Sequence, residues 1–168
     1  MLSENLNKTH WGSADPPLPS RERITMLGKT ISELTPGQKA SFSKTVTETD
    51  VYLYAGITGD FNPAHIDEVY ASQTGFKTRI SHGMLLGGFI SNVLGNRLPG
   101  PGTIYIQQSL SFKAPVCIGD TITALVEVIE INPDKKRVRL KTTCFNQKQE
   151  TVLDGEAVVS PPRPPKTG

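Results

Sequence analysis

At 168 residues the chain has the length of one domain. A net charge of +2 and a single basic run, PDKKRVRLK, argue against a nucleic-acid surface, and the longest apolar run, MLLGGFI, is too short to span a bilayer. Cys117 and Cys144 stand in apolar, strand-like text without a CxxC or a nearby His. They are expected as buried, reduced thiols in a soluble cytoplasmic setting, with no metal site.

Residues 1–32 have no sustained period and contain a Pro-Pro pair, so they read as a poorly ordered N-terminal extension. Trp11 and the ITML run are its only features suited to docking on a partner. Residues 162–168 are a Pro-rich tail, leaving 33–161 as the folded region. Within it KASFSKTVTE alternates, with Ala40, Phe42, Lys44 and Val46 on one side, and predicts a strand. A helix follows over TETDVYLYAGITG, opened by a Thr47/Asp50 capping box and stopped at Gly59. After Pro63, HIDEVYASQTGF predicts a short second helix.

The segment from His82 to Asn96 carries no formal charge and is apolar nearly all round, which predicts a helix buried on most sides. Gly83, Gly87, Gly88 and Gly95 each weaken it by about 1 kcal/mol relative to Ala. That cost fits a helix pressed closely against a sheet. TIYIQQSLSFK, GDTITALVEVIEI, RVRLKTTCFNQ and ETVLDGEAVVS then alternate as four strands, the last three separated by NPDK and QKQ turns. One strand, helices, then four strands make an α+β chain. A curved antiparallel sheet wrapped around one buried helix, the hot-dog fold, accounts for that order. A single copy would leave a sheet edge and an apolar face open, so at least a homodimer is expected.

Asp60 and His65 flank the bend Phe61-Asn62-Pro63-Ala64. On one continuous helix, residues five apart would diverge by about 140°. Pro63 lacks an N–H and pushes Asn62 toward an extended conformation, so the connection is a loop in which the two side chains can converge. The spacing alone fits an acid–base pair or an ordinary Asn-Pro turn.

The run Tyr54-Ala55-Gly56-Ile57-Thr58-Gly59-Asp60-Phe61-Asn62-Pro63-Ala64-His65, with Ala71 after it, resembles the hydratase motif of the MaoC-like (R)-specific enoyl-CoA hydratases. RISHGMLLGGFIS resembles the start of that family's central helix, and PGPGTIYIQQSLSFKAPVCIGD its following strand and turn. The likeness covers about residues 34–160. It implies reversible hydration of a trans-2-enoyl thioester to the (R)-3-hydroxyacyl thioester, carried on coenzyme A or acyl carrier protein, without a cofactor. Asp60 and His65 would hold the catalytic water, and the Gly83 backbone N–H would be an oxyanion donor. Asn62 would orient the bend or help place the water, while His82 is expected to serve the loop structurally. Val69, Phe76, Leu85 and Phe89 are candidates to line the acyl tail; Lys77, Arg79, Arg97 and Lys113 are candidates for the mouth of a pantetheine groove.

Two other classes compete. Thioesterases of this fold commonly carry a Glu or Asp on the central helix, and another dehydratase branch uses an acid there with a His elsewhere. GMLLGGFISNVLGN has no acid, which argues against both. A non-catalytic acyl-thioester-binding module would not need Asp60 or His65, and both are present.

Overall fold

The alternating runs become strands wherever one face must meet an apolar helix. The computed structural model describes residues 27–164; His10, Trp11 and residues 165–168 lie outside them. The elements are a 3₁₀ turn (Ile31–Glu33), β1 (Lys39–Thr45), α1 (Glu48–Thr58), α2 (Pro63–Ile66), α3 (Glu68–Gln73), α4 (Gly83–Asn96), β2 (Ile104–Phe112), β3 (Thr121–Asn132), β4 (Arg137–Phe145) and β5 (Thr151–Ser160). The strands form one antiparallel sheet in the order β1-β3-β4-β5-β2. This is the hot-dog arrangement, with α4 as its filling.

Ile122, Ala124, Val126 and Val128 of β3 alternate inward, as do Val138, Leu140, Thr142 and Cys144 of β4. The β3 alternation ends at Ile129, the extra residue of a bulge opposite β4. A second bulge at Ile106 interrupts the two-faced pattern read along β2. Bulges bend the strands that carry them, which lets the sheet curve around a helix. Leu86, Phe89, Ile90, Val93 and Leu94 of α4 fill the concave side. Each large apolar side chain buried there contributes roughly 1.5–3 kcal/mol relative to exposure.

Helix α4 is covered on most sides, as expected, and one stripe stays open: Met84 is 53% exposed, and Gly88 and Ser91 face outward along a groove beside β2. Two expectations need revision. The glycines do not all mark close contacts. A Cβ at Gly83 would come within 2.8 Å of Phe112 and one at Gly87 within 3.4 Å of Leu110, but nothing lies within 4 Å of one at Gly88 or Gly95. Finally, the packed body extends past residue 33 toward the N-terminus. Gly28 and Lys29 donate backbone hydrogen bonds to Pro101 and Pro99, and at the other end Pro161 and Pro162 are buried.

Candidate active site

Helix α1 stops where its sequence says it should. The Thr47 hydroxyl accepts from the Asp50 N–H and the Asp50 carboxylate accepts from the Thr47 N–H, closing the capping box. At the far end Gly59 takes a left-handed conformation (φ +78°), and its N–H donates to the Ala55 carbonyl. The chain then folds on itself through side-chain bonds. The Asp60 N–H donates to Thr58 Oγ1, the Asn62 N–H to Asp60 Oδ1, and the Ala64 N–H to Asn62 Oδ1. Asn62 is thus the N-cap of α2, with Pro63 at the first helical position. Its carbonyl oxygen is used in holding the bend.

The bend docks onto the segment leading into α4. Ile80 clamps it at two points: its N–H donates to the Ala64 carbonyl (3.1 Å), and its carbonyl accepts from His65 Nδ1 (2.8 Å). A carbonyl only accepts, so Nδ1 carries the proton and Nε2 of His65 holds the lone pair. His82 Nε2 lies 2.9 Å from the Asp60 carbonyl and by the same reasoning is a donor. The His82 ring stacks against His65 (centroids 3.9 Å, 33° between planes) and packs on Tyr54 at 4.9 Å.

One ligand atom each from Asp60, His65 and His82 lies within 4.8 Å of the other two. The acid and the imidazole therefore converge, at a separation that one water hydrogen-bonded to both can bridge. The same trio has the donor types of a metal site. Stacked imidazoles, however, present their edges side by side, whereas a tetrahedral ion draws ligands from widely separated directions. The geometry suits shared hydrogen bonding better than ligation.

Two clefts meet here. The first, about 340 Å³, is lined by His65, Phe76, Leu86, Lys113, Val116 and Val152 among others. The second, about 370 Å³, holds Tyr54, Thr58, Asp60, His82 and Met84. Gly83 and Phe112 line both. The Gly83 N–H opens α4 and has no hydrogen-bond acceptor among the described residues. Free N–H groups and the positive end of the helix dipole lie at such a position.

The other predicted residues divide. Phe76 lines the cleft with His65. Val69 is 72% exposed on α3, Leu85 is half-buried against the core, and Phe89 is buried edge-on to Phe42; none of these three lines either cleft. Lys113 is exposed on the cleft wall and Lys77 is exposed beyond α3. Arg79 is committed elsewhere, bonding Glu48 (2.7 Å), Glu68 (3.2 Å) and the Tyr52 hydroxyl (3.0 Å). Arg97 bonds the Ser41 carbonyl and lies over the Phe42 ring. The sequence reading missed Phe112, Leu86 and Val152 as cleft residues. Leu86 could have been found from its place one helical turn after Gly83; the others arrive through sheet register.

Residues 32–151 match the family described as MaoC like domain. The chain is 57% identical over 132 residues to an (R)-specific enoyl-CoA hydratase of Rhodospirillum rubrum, covering 79% of this chain and 91% of that protein. It is 49% identical over 133 residues to a 3-hydroxybutyryl-CoA dehydratase of Methylorubrum extorquens, covering 79% and 84%. Among solved structures, the unliganded R-hydratase PhaJ1 of Pseudomonas aeruginosa superposes with a TM-score of 0.78 at 46% identity, covering 82% of this chain and 88% of that one.

Proposed function

The chain belongs to the MaoC-like domain family, and from that membership we propose that it is an (R)-specific enoyl-CoA hydratase acting on a trans-2-enoyl-CoA through Asp60, His65 and the Gly83 N–H. The observation that carries the assignment of residues is the convergence of Asp60 and His65 within 4.8 Å beside the start of α4. The relatives named for coenzyme A substrates are the more similar ones: the acyl-carrier-protein dehydratase of Arabidopsis thaliana is 36% identical.

The chemistry follows from the geometry. An enoyl thioester is electrophilic at its β-carbon because the carbonyl withdraws electrons. Asp60 and His65 hold one water. As the water oxygen bonds to the β-carbon, the pair takes one proton from it and delivers one to the α-carbon on the same face, ending in its starting protonation state. General acid–base help of this kind typically contributes about 10²–10⁴-fold. Charge that collects on the thioester oxygen meets the Gly83 N–H, a donor already oriented by α4. No cofactor is required for any of these steps. Lys113, exposed on the wall of the His65 cleft, is the candidate cation for the carrier's polar groups.

A homodimer suits the same surface. Among the described residues β2 pairs only with β5, and Ile104, Tyr105, Ile106 and Phe112 along it are exposed. An apolar unpaired edge of that length is a surface for a second copy.

The deciding assay follows loss of the conjugated enoyl-thioester absorbance with crotonyl-CoA. Turnover is expected, and the product should be a substrate for an (R)-specific, but not an (S)-specific, 3-hydroxyacyl-CoA dehydrogenase. Binding without turnover would instead support the acyl-thioester-binding module.

A further inference from the structure

We propose that His82 is the positioning residue of this site: an imidazole fixed as its Nε2–H tautomer that docks the acid and the base onto the same short segment that supplies the Gly83 N–H. Its kinetic consequence rests on the hydratase reading; its structural part does not.

The segment Ile80–Gly83 works as a template. Its first residue accepts from His65 Nδ1, its third donates to the Asp60 carbonyl, and its fourth begins α4. Ser81 anchors the segment to the body through its N–H on the Val116 carbonyl at 2.7 Å. His82 is the one side chain here that meets both halves of the pair, bonding the backbone of Asp60 and stacking on the ring of His65. It is 2% exposed.

Two details separate this role from ordinary packing. His82 is the N-cap of α4, where Ser, Thr, Asp or Asn usually bonds the first turn, yet its side chain makes no capping bond. The helix forgoes its cap, and the imidazole is spent on the bend instead. In addition, His82 Nδ1 is buried with no hydrogen-bond partner among the described residues. A proton there would be a buried donor without an acceptor, so the ring is held with its single N–H on Nε2. The bond to Asp60 then has one possible direction. Small displacements of reacting groups are expensive: about 1 Å can cost on the order of 10²-fold in rate.

The test combines a measurement on the unaltered protein with two substitutions. A long-range ¹H–¹⁵N NMR spectrum should show His82 as the Nε2–H tautomer and His65 as the Nδ1–H tautomer; the opposite form of His82 would overturn the proposal whether or not any variant folds. His82→Phe keeps a ring against His65 but cannot donate, whereas His82→Gln can donate to the Asp60 carbonyl. With crotonyl-CoA, His82→Phe should lower kcat by about 10–100-fold with KM within about twofold, and His82→Gln should recover to within about fivefold of the original kcat. Equal kcat in the two variants, whether high or low, would also overturn it. The expected tautomers in a protein that never turns over crotonyl-CoA would uphold the docking role and defeat the hydratase reading alone.

Discussion

A Cβ placed on Gly83 would lie 2.8 Å from Cε1 of Phe112, so the ring that closes β2 rests directly on the residue that opens α4. Packing and the proposed oxyanion role coincide at this point, and substitutions can pull them apart. Gly83→Ala keeps the N–H but collides with the ring, and overpacking of this kind typically costs about 1–3 kcal/mol. Adding Phe112→Ala should relieve the collision and raise activity above that of Gly83→Ala alone. In the Phe112→Ala background, Gly83→Pro removes the N–H at a helix position where proline is tolerated. Its kcat should fall about 10²–10³-fold below the alanine counterpart. Equal rates for alanine and proline would remove Gly83 from the oxyanion role.

Asp60→Asn and His65→Gln each preserve shape while removing a proton acceptor or altering its strength. Each should lower kcat by about two orders of magnitude or more, with melting temperature within a few degrees of the original. Their double variant should be little worse than either single one, because residues acting as a unit are not additive. Steady-state kinetics with matched calorimetry checks all three.

Arg79 is 17% exposed and ties α1 to α3 through Glu48 and Glu68. It braces the helices on either side of the bend, so it is not free for a carrier phosphate. Arg79→Met should therefore leave KM for enoyl-CoA within about twofold and lower the melting temperature by about 2–4 °C. The Arg79 backbone N–H, then Thr78 and the guanidinium, hold the Glu68 carboxyl below its ordinary range. A depressed carboxylate stabilises the fold above its unfolded pKa, and that contribution is lost as pH falls through the folded value. The gap between variant and original should accordingly narrow in acid, which melting curves across pH would show.

The two thiols should separate by reactivity. Burial pushes the Cys144 thiol up to about 12, while burial and then the Asp120 charge raise the partly accessible Cys117 more mildly. A raised thiol pKa leaves less thiolate at a given pH, and thiolate is the reacting form. With a disulfide reagent at pH 8, Cys117 should react slowly and Cys144 not at all until denaturant is added. The protonated Cys144 favours the fold below the ordinary thiol pKa, and that contribution fades as pH rises toward about 12.

Ile106 is the extra residue of the β2 bulge and is exposed at the sheet edge. A lysine there would place charge on the surface proposed to meet a second copy. Ile106→Lys should shift sedimentation from dimer toward monomer. A monomeric original protein would refute the proposed assembly.

Much of this was legible in the chain. Thr47, Asp50 and Gly59 announce the ends of α1 because capping and left-handed turns are local chemistry. Alternation revealed β3 up to Ile129 and β4 throughout, since each has one face against α4. What stayed hidden depends on register and on neighbours distant in sequence. The bulge at Ile106 has no local signature, and the Phe112 contact with Gly83 requires the folded sheet. Apolar type does not say which wall a side chain lines, and of Val69, Phe76, Leu85 and Phe89 only Phe76 faces a cleft beside the pair. Arg79 looked like any surface cation until Glu48 and Glu68 closed around it.

The acid and the imidazole come from a single connection of six residues, Asp60 to His65, built largely from its own Asx bonds and a proline. The proposed reactive couple is consequently a short-range object, whose internal spacing changes little when strands slide or the sheet flexes. What distant drift can alter is where that couple sits against the incoming thioester. Evolution could thus retune acyl preference through the walls while leaving the hydration step itself nearly untouched.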